Sequence, residues 1–424
     1  MAKFLLFFTN LAFPFAALGV FFGFLFSARR KLLANIIQEL KERFARETPA
    51  DLPQNALWIH CASVGEVMSV KELITRLKEY YKKPILVTTS TAAGQETAQK
   101  NPAIDKAVLA PLDFYPFTRS FIRKAKPYRL FIVEREIWPN MLAAAKNEGV
   151  PYALVNARIS RKSTRAYCYV KPLFEYILQG VSFAALQSHD DKRRYERIGL
   201  PEEKAFVCGN VKYDTLSDTP SKVEETQQLI KKLGWEGKNI FVCGSTHPLE
   251  EEILLKSAPE LIEKDIKIIF APRHLERREE IEQNLRQSGL NYAMMSKKPA
   301  ACDILCADQM GFLQSLYTCA AITFVGGSIA PKGAHNLLEP AIVGKVVLFG
   351  KSYHNTPDTA HALLTRGGGI LVDETNLKET VLRLLGDKTQ LLDMSEKARK
   401  TALGFKGATD KIMKVVEDYE RKSA

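Results

Sequence analysis

Several apolar, strand-like runs in the sequence end on residues that could do chemistry. Trp58-Ile59-His60-Cys61-Ala62-Ser63-Val64-Gly65-Glu66 carries such a run to Gly65, which allows a tight turn, and Glu66 then enters the first turn of the following helix. At the edge of an open α/β sheet a carboxylate in that place can take a proton from a substrate hydroxyl. The plainer alternative is an acid that only suits a helix N-terminus, which would also hold it ionised and weaken it as a base. The run Phe131–Pro139 puts Glu134, Arg135 and Glu136 at a second strand end, and Pro139 suits a helix start. An exposed charge cluster accounts for Glu134 and Arg135, which leaves Glu136 as the functional candidate. Further along, Gly244-Ser245-Thr246-His247 and Ala271-Pro272-Arg273-His274 follow apolar runs, and Gly326-Gly327-Ser328 precedes His335-Asn336-Leu337-Leu338-Glu339-Pro340. Backbone N–H groups with Arg273 suit a phosphate, and a glycine-rich turn with an acid that accepts from ribose hydroxyls suits a nucleotide.

Other chemistries fail on spacing. Gly350-Lys351-Ser352 follows Val346-Val347-Leu348-Phe349, a buried-strand pattern in place of a phosphate loop. His335 and Glu339, like Cys302 and Cys306, are four residues apart without a third ligand, so no metal is expected. The seven cysteines form no C-x-x-C pair and sit mostly in apolar runs, as reduced thiols of a cytoplasmic protein do.

The elements that must position these ends alternate along the chain. Strands are expected at 56–61, 84–89, 106–110, 129–134, 151–156, 183–187 and 205–209, and a helix over 67–81. After a polar stretch the pattern restarts at 239–244, 266–271, 303–307, 320–326, 345–350 and 369–372, and 376–421 reads as helical. This predicts an α/β fold with parallel sheets. The expected division is an anchor over 1–31, a first Rossmann-like domain over 32–210, a linker over 211–238 and a second Rossmann-like domain with C-terminal helices over 239–424, the two domains facing a cleft.

Residues 4–26 contain no charged side chain, and as a helix they would reach about 34 Å, enough for a hydrocarbon core of about 30 Å. Arg29, Arg30 and Lys31 follow directly, which predicts a retained membrane-anchor helix with the main body on the cytoplasmic side. Leu32, Leu33, Ile36, Ile37, Leu40 and Phe44 continue at helical spacing, as a surface-lying or domain-covering helix would. The formal net charge of +12 asks for an anionic partner. Basic and aromatic residues do not interleave, while acids and glycines cluster at strand ends, so no nucleic acid is expected.

In their order along the chain, HCASVGE (60–66), TSTAAG (89–94), EREIWPN (134–140), NARIS (156–160), GNVKYD (209–214), APRH (271–274), FVGGS (324–328) and HNLLEP (335–340) resemble the transferases of Kdo, 3-deoxy-D-manno-octulosonic acid. These are inverting glycosyltransferases of the two-domain GT-B fold. The resemblance implies transfer of Kdo from CMP-Kdo to a lipid A precursor, lipid IVA, in lipopolysaccharide core biosynthesis. It implies a place at the bacterial inner membrane among anionic lipids, and no metal or cofactor. By the same resemblance Glu66 is the base, and Glu136 and Lys212 stabilise the transition state. Contacts to CMP fall on Pro272 and Arg273, on Met310, Gly311 and Phe312, and on Asn336, Leu337, Leu338 and Glu339. The family often has an acid where Phe312 stands, so only backbone contacts are implied there. The alternatives are another GT-B enzyme, a UDP-sugar transferase or epimerase, and a non-enzymatic membrane tether.

Overall fold

Runs rich in Val, Ile and Leu form parallel strands because helices cover both faces of such a sheet. In the computed structural model, which describes residues 1–2, 4–7, 10–11, 43, 51–297 and 299–423, two seven-stranded sheets follow from them. The first contains β1 (Leu57–Cys61), β2 (Ile85–Thr89), β3 (Lys106–Leu109), β4 (Arg129–Val133), β5 (Tyr152–Ala157), β6 (Val181–Leu186) and β7 (Ala205–Val207), all parallel, in the order β3-β2-β1-β4-β5-β6-β7. The second contains β8 (Asn239–Thr246), β9 (Ile266–Pro272), β10 (Tyr292–Met294), β11 (Ile304–Cys306), β12 (Ile322–Val325), β13 (Val347–Phe349) and β14 (Gly369–Leu371), also parallel, in the order β10-β11-β9-β8-β12-β13-β14. Strand order reverses between β1 and β4 in the first sheet and between β8 and β12 in the second. At such a switch point the loops leaving the C-terminal strand ends diverge and leave a crevice. Glu66 and Glu134 to Glu136 follow the two strands that flank the first switch point; His247 and Gly326 follow the two that flank the second.

Two differences from the expected organisation have clear causes. The chain forms one unit from residues 1–215 and 406–424 and another from 216–405, so the last helix, Ala408–Ser423, belongs to the first unit and not to the second. Its apolar stripe, Ala408, Ile412, Met413 and Val416, packs with Val155, Phe183, Cys208 and Val211. Asp214 accepts from the N–H groups of Gly407, Ala408 and Thr409, and the buried Arg129 pairs with Glu420 at 2.6 Å. The stretch 211–238 is likewise no plain linker: Val211–Tyr213 is a helical turn of the first unit, and Val223–Lys232 is a helix of the second that buries Ile230 near Trp235. The helix expected over 67–81 is two, Val64–Ser69 and Lys71–Tyr81, broken at Val70.

The anchor expected over 4–26 and the helix over 32–46 lie outside the described residues, apart from 4–7, 10, 11 and Arg43. Of these, Leu6 joins the first unit's core, and Asn10 donates to Asn140 Oδ1 (2.6 Å) while accepting from the Tyr115 N–H (2.8 Å). Among the described residues no helix is long and apolar enough to cross a membrane.

Candidate active site

Glu66 sits where the sequence places it, in the first turn of the helix Val64–Ser69 just past β1. Its Oε2 accepts from the backbone N–H of Ala62 at 2.5 Å. Burial, with Glu136 and Glu134 close by, pushes its carboxyl up to about 7, against the pull of the Ala62 N–H and of Arg158. The expectation that a helix N-terminus would hold Glu66 ionised is therefore reversed. A six-residue helix has little dipole to offer, and desolvation outweighs it. A carboxyl poised near neutral pH is suited to general base work. On the same short helix Val64 and Met68 expose apolar side chains.

Glu134 is not part of an exposed cluster. Its side chain is 11% exposed and its Oε2 accepts from Arg158 Nε (2.9 Å) and Nη2 (2.8 Å). Its backbone is left-handed, φ 57°, a conformation that non-glycine residues hold only where their surroundings enforce it. Here its N–H donates to Val155 and its carbonyl accepts from the Arg158 N–H, so the turn after β4 is pinned to the end of β5. Arg135 is exposed and Glu136 half-buried, and burial raises the Glu136 carboxyl above the usual range. Lys212 lies on the turn after β7, locked by a chain of amides: the Val211 N–H donates to Asn156 Oδ1, the Gln187 amide to the Asn156 carbonyl, the Asn210 amide to Gln187 Oε1, and the Lys212 N–H to Asn210 Oδ1. Its ammonium is exposed and has no carboxylate partner among the described residues. Glu66, Glu136 and Lys212 thus share the C-terminal edge of one sheet.

In the second unit Arg273 leaves the end of β9 with an exposed side chain that has no ion-pair partner among the described residues. His247 and His335 stack at 8° with their Nε2 atoms 3.0 Å apart, and His274 lies edge-on to His247. Burial, Arg273 and the other two imidazoles hold His335 down to about 4, and burial with His274 and Lys332 lowers His247. Glu276 pairs with His274 at 2.9 Å, while Arg273 and Lys332 crowd the other two imidazoles and favour an anion beside them.

The remaining candidates divide by burial. Pro272, Phe312, Leu337 and Leu338 turn their side chains into the unit, so only their backbone can meet a ligand. The ring of Phe312 is covered by Lys222 Nζ at 3.9 Å, and the Leu338 N–H is already bonded to Asn336 Oδ1. Glu339 accepts from the Asn336 amide at 3.1 Å. Met310 is exposed and Gly311 has φ 84°, on the loop after β11, the strand beside β9.

The glycine-rich turn is not a free phosphate cradle. The fully buried Glu250 accepts from the N–H groups of Gly327 (2.8 Å), Ser328 (2.9 Å), Ile329 (2.9 Å) and Ala330 (3.2 Å), and from that of His247 (3.1 Å). The sequence reading passed over this residue, although His247-Pro248-Leu249-Glu250 carries the acid of a capping box three residues past the cap.

Residues 38–215 match the family described as 3-deoxy-D-manno-octulosonic-acid transferase (kdotransferase). A bifunctional glycosyltransferase/methyltransferase of Fusobacterium nucleatum subsp. nucleatum is 34% identical over 77% of this chain, and the match spans 51% of that protein's length. A 3-deoxy-D-manno-octulosonic acid transferase of Chlamydophila psittaci is 32% identical over 77% of both chains. A solved glycosyltransferase from Rickettsia africae shares the fold, with a TM-score of 0.58 at 13% identity over 87% of this chain and 98% of its own. The architecture is GT-B, and the chain belongs to the Kdo transferase family of glycosyltransferases.

Proposed function

We propose that the protein transfers Kdo from CMP-Kdo to a hydroxyl of a lipid A precursor, by a single displacement that inverts the reacting carbon. The observation that carries this reading is the Glu66 carboxyl, raised to about 7 beside a sheet switch point. The acceptor oxygen attacks the ketosidic carbon, the bond from that carbon to the CMP phosphate breaks, and its electron pair leaves with CMP. Glu66 takes the proton of the attacking hydroxyl. Glu136 offsets positive charge developing at the carbon, and Lys212 offsets the negative charge that leaves. Arg273 and the imidazoles beside it hold the phosphate of CMP, with backbone groups of 310–312 and 336–338 and the Glu339 carboxylate completing the nucleotide site. The exposed Val64 and Met68 on the base's own helix suit an acylated acceptor.

The apolar segment 4–26 with its trailing cations attaches the protein to the cytoplasmic face of the inner membrane, where anionic lipids complement the net charge of +12. Product analysis by mass spectrometry tests the reaction. With CMP-Kdo and lipid IVA, the acceptor is expected to gain mass in whole Kdo units while CMP is released. Consumption of a UDP-sugar with CMP-Kdo untouched would overturn the proposal, and an unchanged anomeric configuration in the product would overturn the single displacement.

A further inference from the structure

Two short helices of the first unit carry arginine at helical spacing: Arg161–Tyr169, with Arg161 and Arg165, and His189–Arg197, with Arg193, Arg194 and Arg197. Pairs four residues apart lie on one face of a helix. Ser160 and Ser188 cap the two helices, each accepting a backbone N–H from the residue three further on. The helices follow β5 and β6, so they start at the same C-terminal sheet edge that carries Glu66. Together they enclose a hollow of about 340 Å³, lined by these five arginines and one carboxylate, Asp190.

That carboxylate is occupied. Asp190 pairs with Arg193 and, at 2.8 Å, with Arg194. Arg194 also donates to the Ile159 carbonyl at 3.1 Å. Arg161, Arg165 and Arg197 have no carboxylate partner among the described residues. An excess of cations around one hollow repels itself until an anion enters, and planar guanidinium forks match phosphate oxygens two at a time. The hollow is linked indirectly to the surroundings of the candidate base. The Ile159 N–H donates to Asp191 Oδ1 at 2.9 Å, and the preceding residue, Arg158, holds Glu134 and lowers the charge cost of Glu66.

We propose that this arginine hollow binds a phosphate monoester, and that the sugar phosphate of the acceptor fills it while the acceptor hydroxyl faces Glu66. The identity of the acceptor rests on the Kdo-transfer reading; the phosphate site does not. The test is the triple variant Arg161→Gln, Arg165→Gln, Arg197→Gln, which removes side chains with no carboxylate partner among the described residues. Its KM for bis-phosphorylated lipid IVA is expected to rise about tenfold or more, from lost charge-assisted bonds, while the KM for CMP-Kdo and the melting temperature stay in place. A wild-type KM for lipid IVA, or an equal rise for an acceptor stripped of its phosphates, would overturn the assignment. Sedimentation with phosphatidylglycerol vesicles separates the sources: lost vesicle binding with an unmoved acceptor KM would give the hollow to a bilayer lipid and remove the acceptor from it. Calorimetric titration with a water-soluble glucosamine disaccharide bisphosphate reads the site without transfer. Binding by the wild type and not by the variant supports the hollow even if no Kdo is transferred, and absence of binding by the wild type sinks it.

Discussion

Glu66 in the first unit and Glu250 in the second begin from similar places, each in the first turn of the helix that follows a strand flanking a switch point. Burial raises the carboxyl of both. They differ in their donors. Glu66 accepts one backbone N–H and is only half-buried, whereas Glu250 accepts five and is sealed from solvent. A carboxylate whose lone pairs are taken by five N–H groups has no room for a proton from a substrate. One with a single donor and an open side does. The number of donors, more than the depth of burial, separates the candidate base from the structural acid in this fold.

The largest expected effect comes from Glu66→Gln, which keeps the shape and removes the base. Transfer should fall by about 10² to 10⁴, with CMP affinity unchanged by calorimetry. Because a raised carboxyl burdens the fold when ionised, the same variant should be more stable near pH 8, by roughly 1 kcal/mol after solvent screening. Near-normal turnover would remove Glu66 from the mechanism and break the contrast. Glu250→Ala should do the reverse. Five buried N–H groups lose their acceptor at a cost of about 3–5 kcal/mol, so thermal melting should show a large loss in the second unit together with weakened CMP binding. A variant that melts normally and fails only in turnover would make Glu250 a chemical group after all. The smallest effect is in pH dependence. Glu66 must be ionised to act, so kcat should rise about tenfold per pH unit up to about 7 and then level off. For stability the sign is opposite, since the cost of the ionised form is complete above pH 7 and fades as pH falls towards 4.5. A flat kcat profile between pH 5.5 and 7 would mean that Glu66 does not carry the proton.

Much of the fold was legible because parallel strands covered on both faces leave apolar runs that are hard to mistake. Tyr292–Met294 escaped because it is three residues long at a sheet edge and only partly buried. The helix Ala408–Ser423 was visible as a helix, but an apolar stripe shows that something is packed without naming the partner. Among the candidate site residues, Glu66 and Arg273 stand out in the sequence by their position after a strand. Glu250 has a local signal as the acid of the His247 capping box, but four of its five donors lie about eighty residues away, so its sealing could not be read from the sequence. Glu134 was misjudged for the same reason: Arg158, which takes it out of solvent, arrives from the next strand. The arginine hollow is assembled from two helices and has no signature in either one alone.

The return of residues 406–424 to the first unit sets an order of events during synthesis. When a ribosome has released residues 1–215, seven strands are present, but the helix that shields Phe183, Cys208 and Val211 has not been made. Asp214 then waits for the N–H groups of residues 407–409, and Arg129 for Glu420. The inserted unit, 216–405, is translated in between, and at about 5–20 residues per second that delay lasts roughly 10 to 40 seconds. The unit that begins first is therefore the last to close, and for that interval its uncovered sheet is the nascent chain's point of exposure to chaperones and proteases.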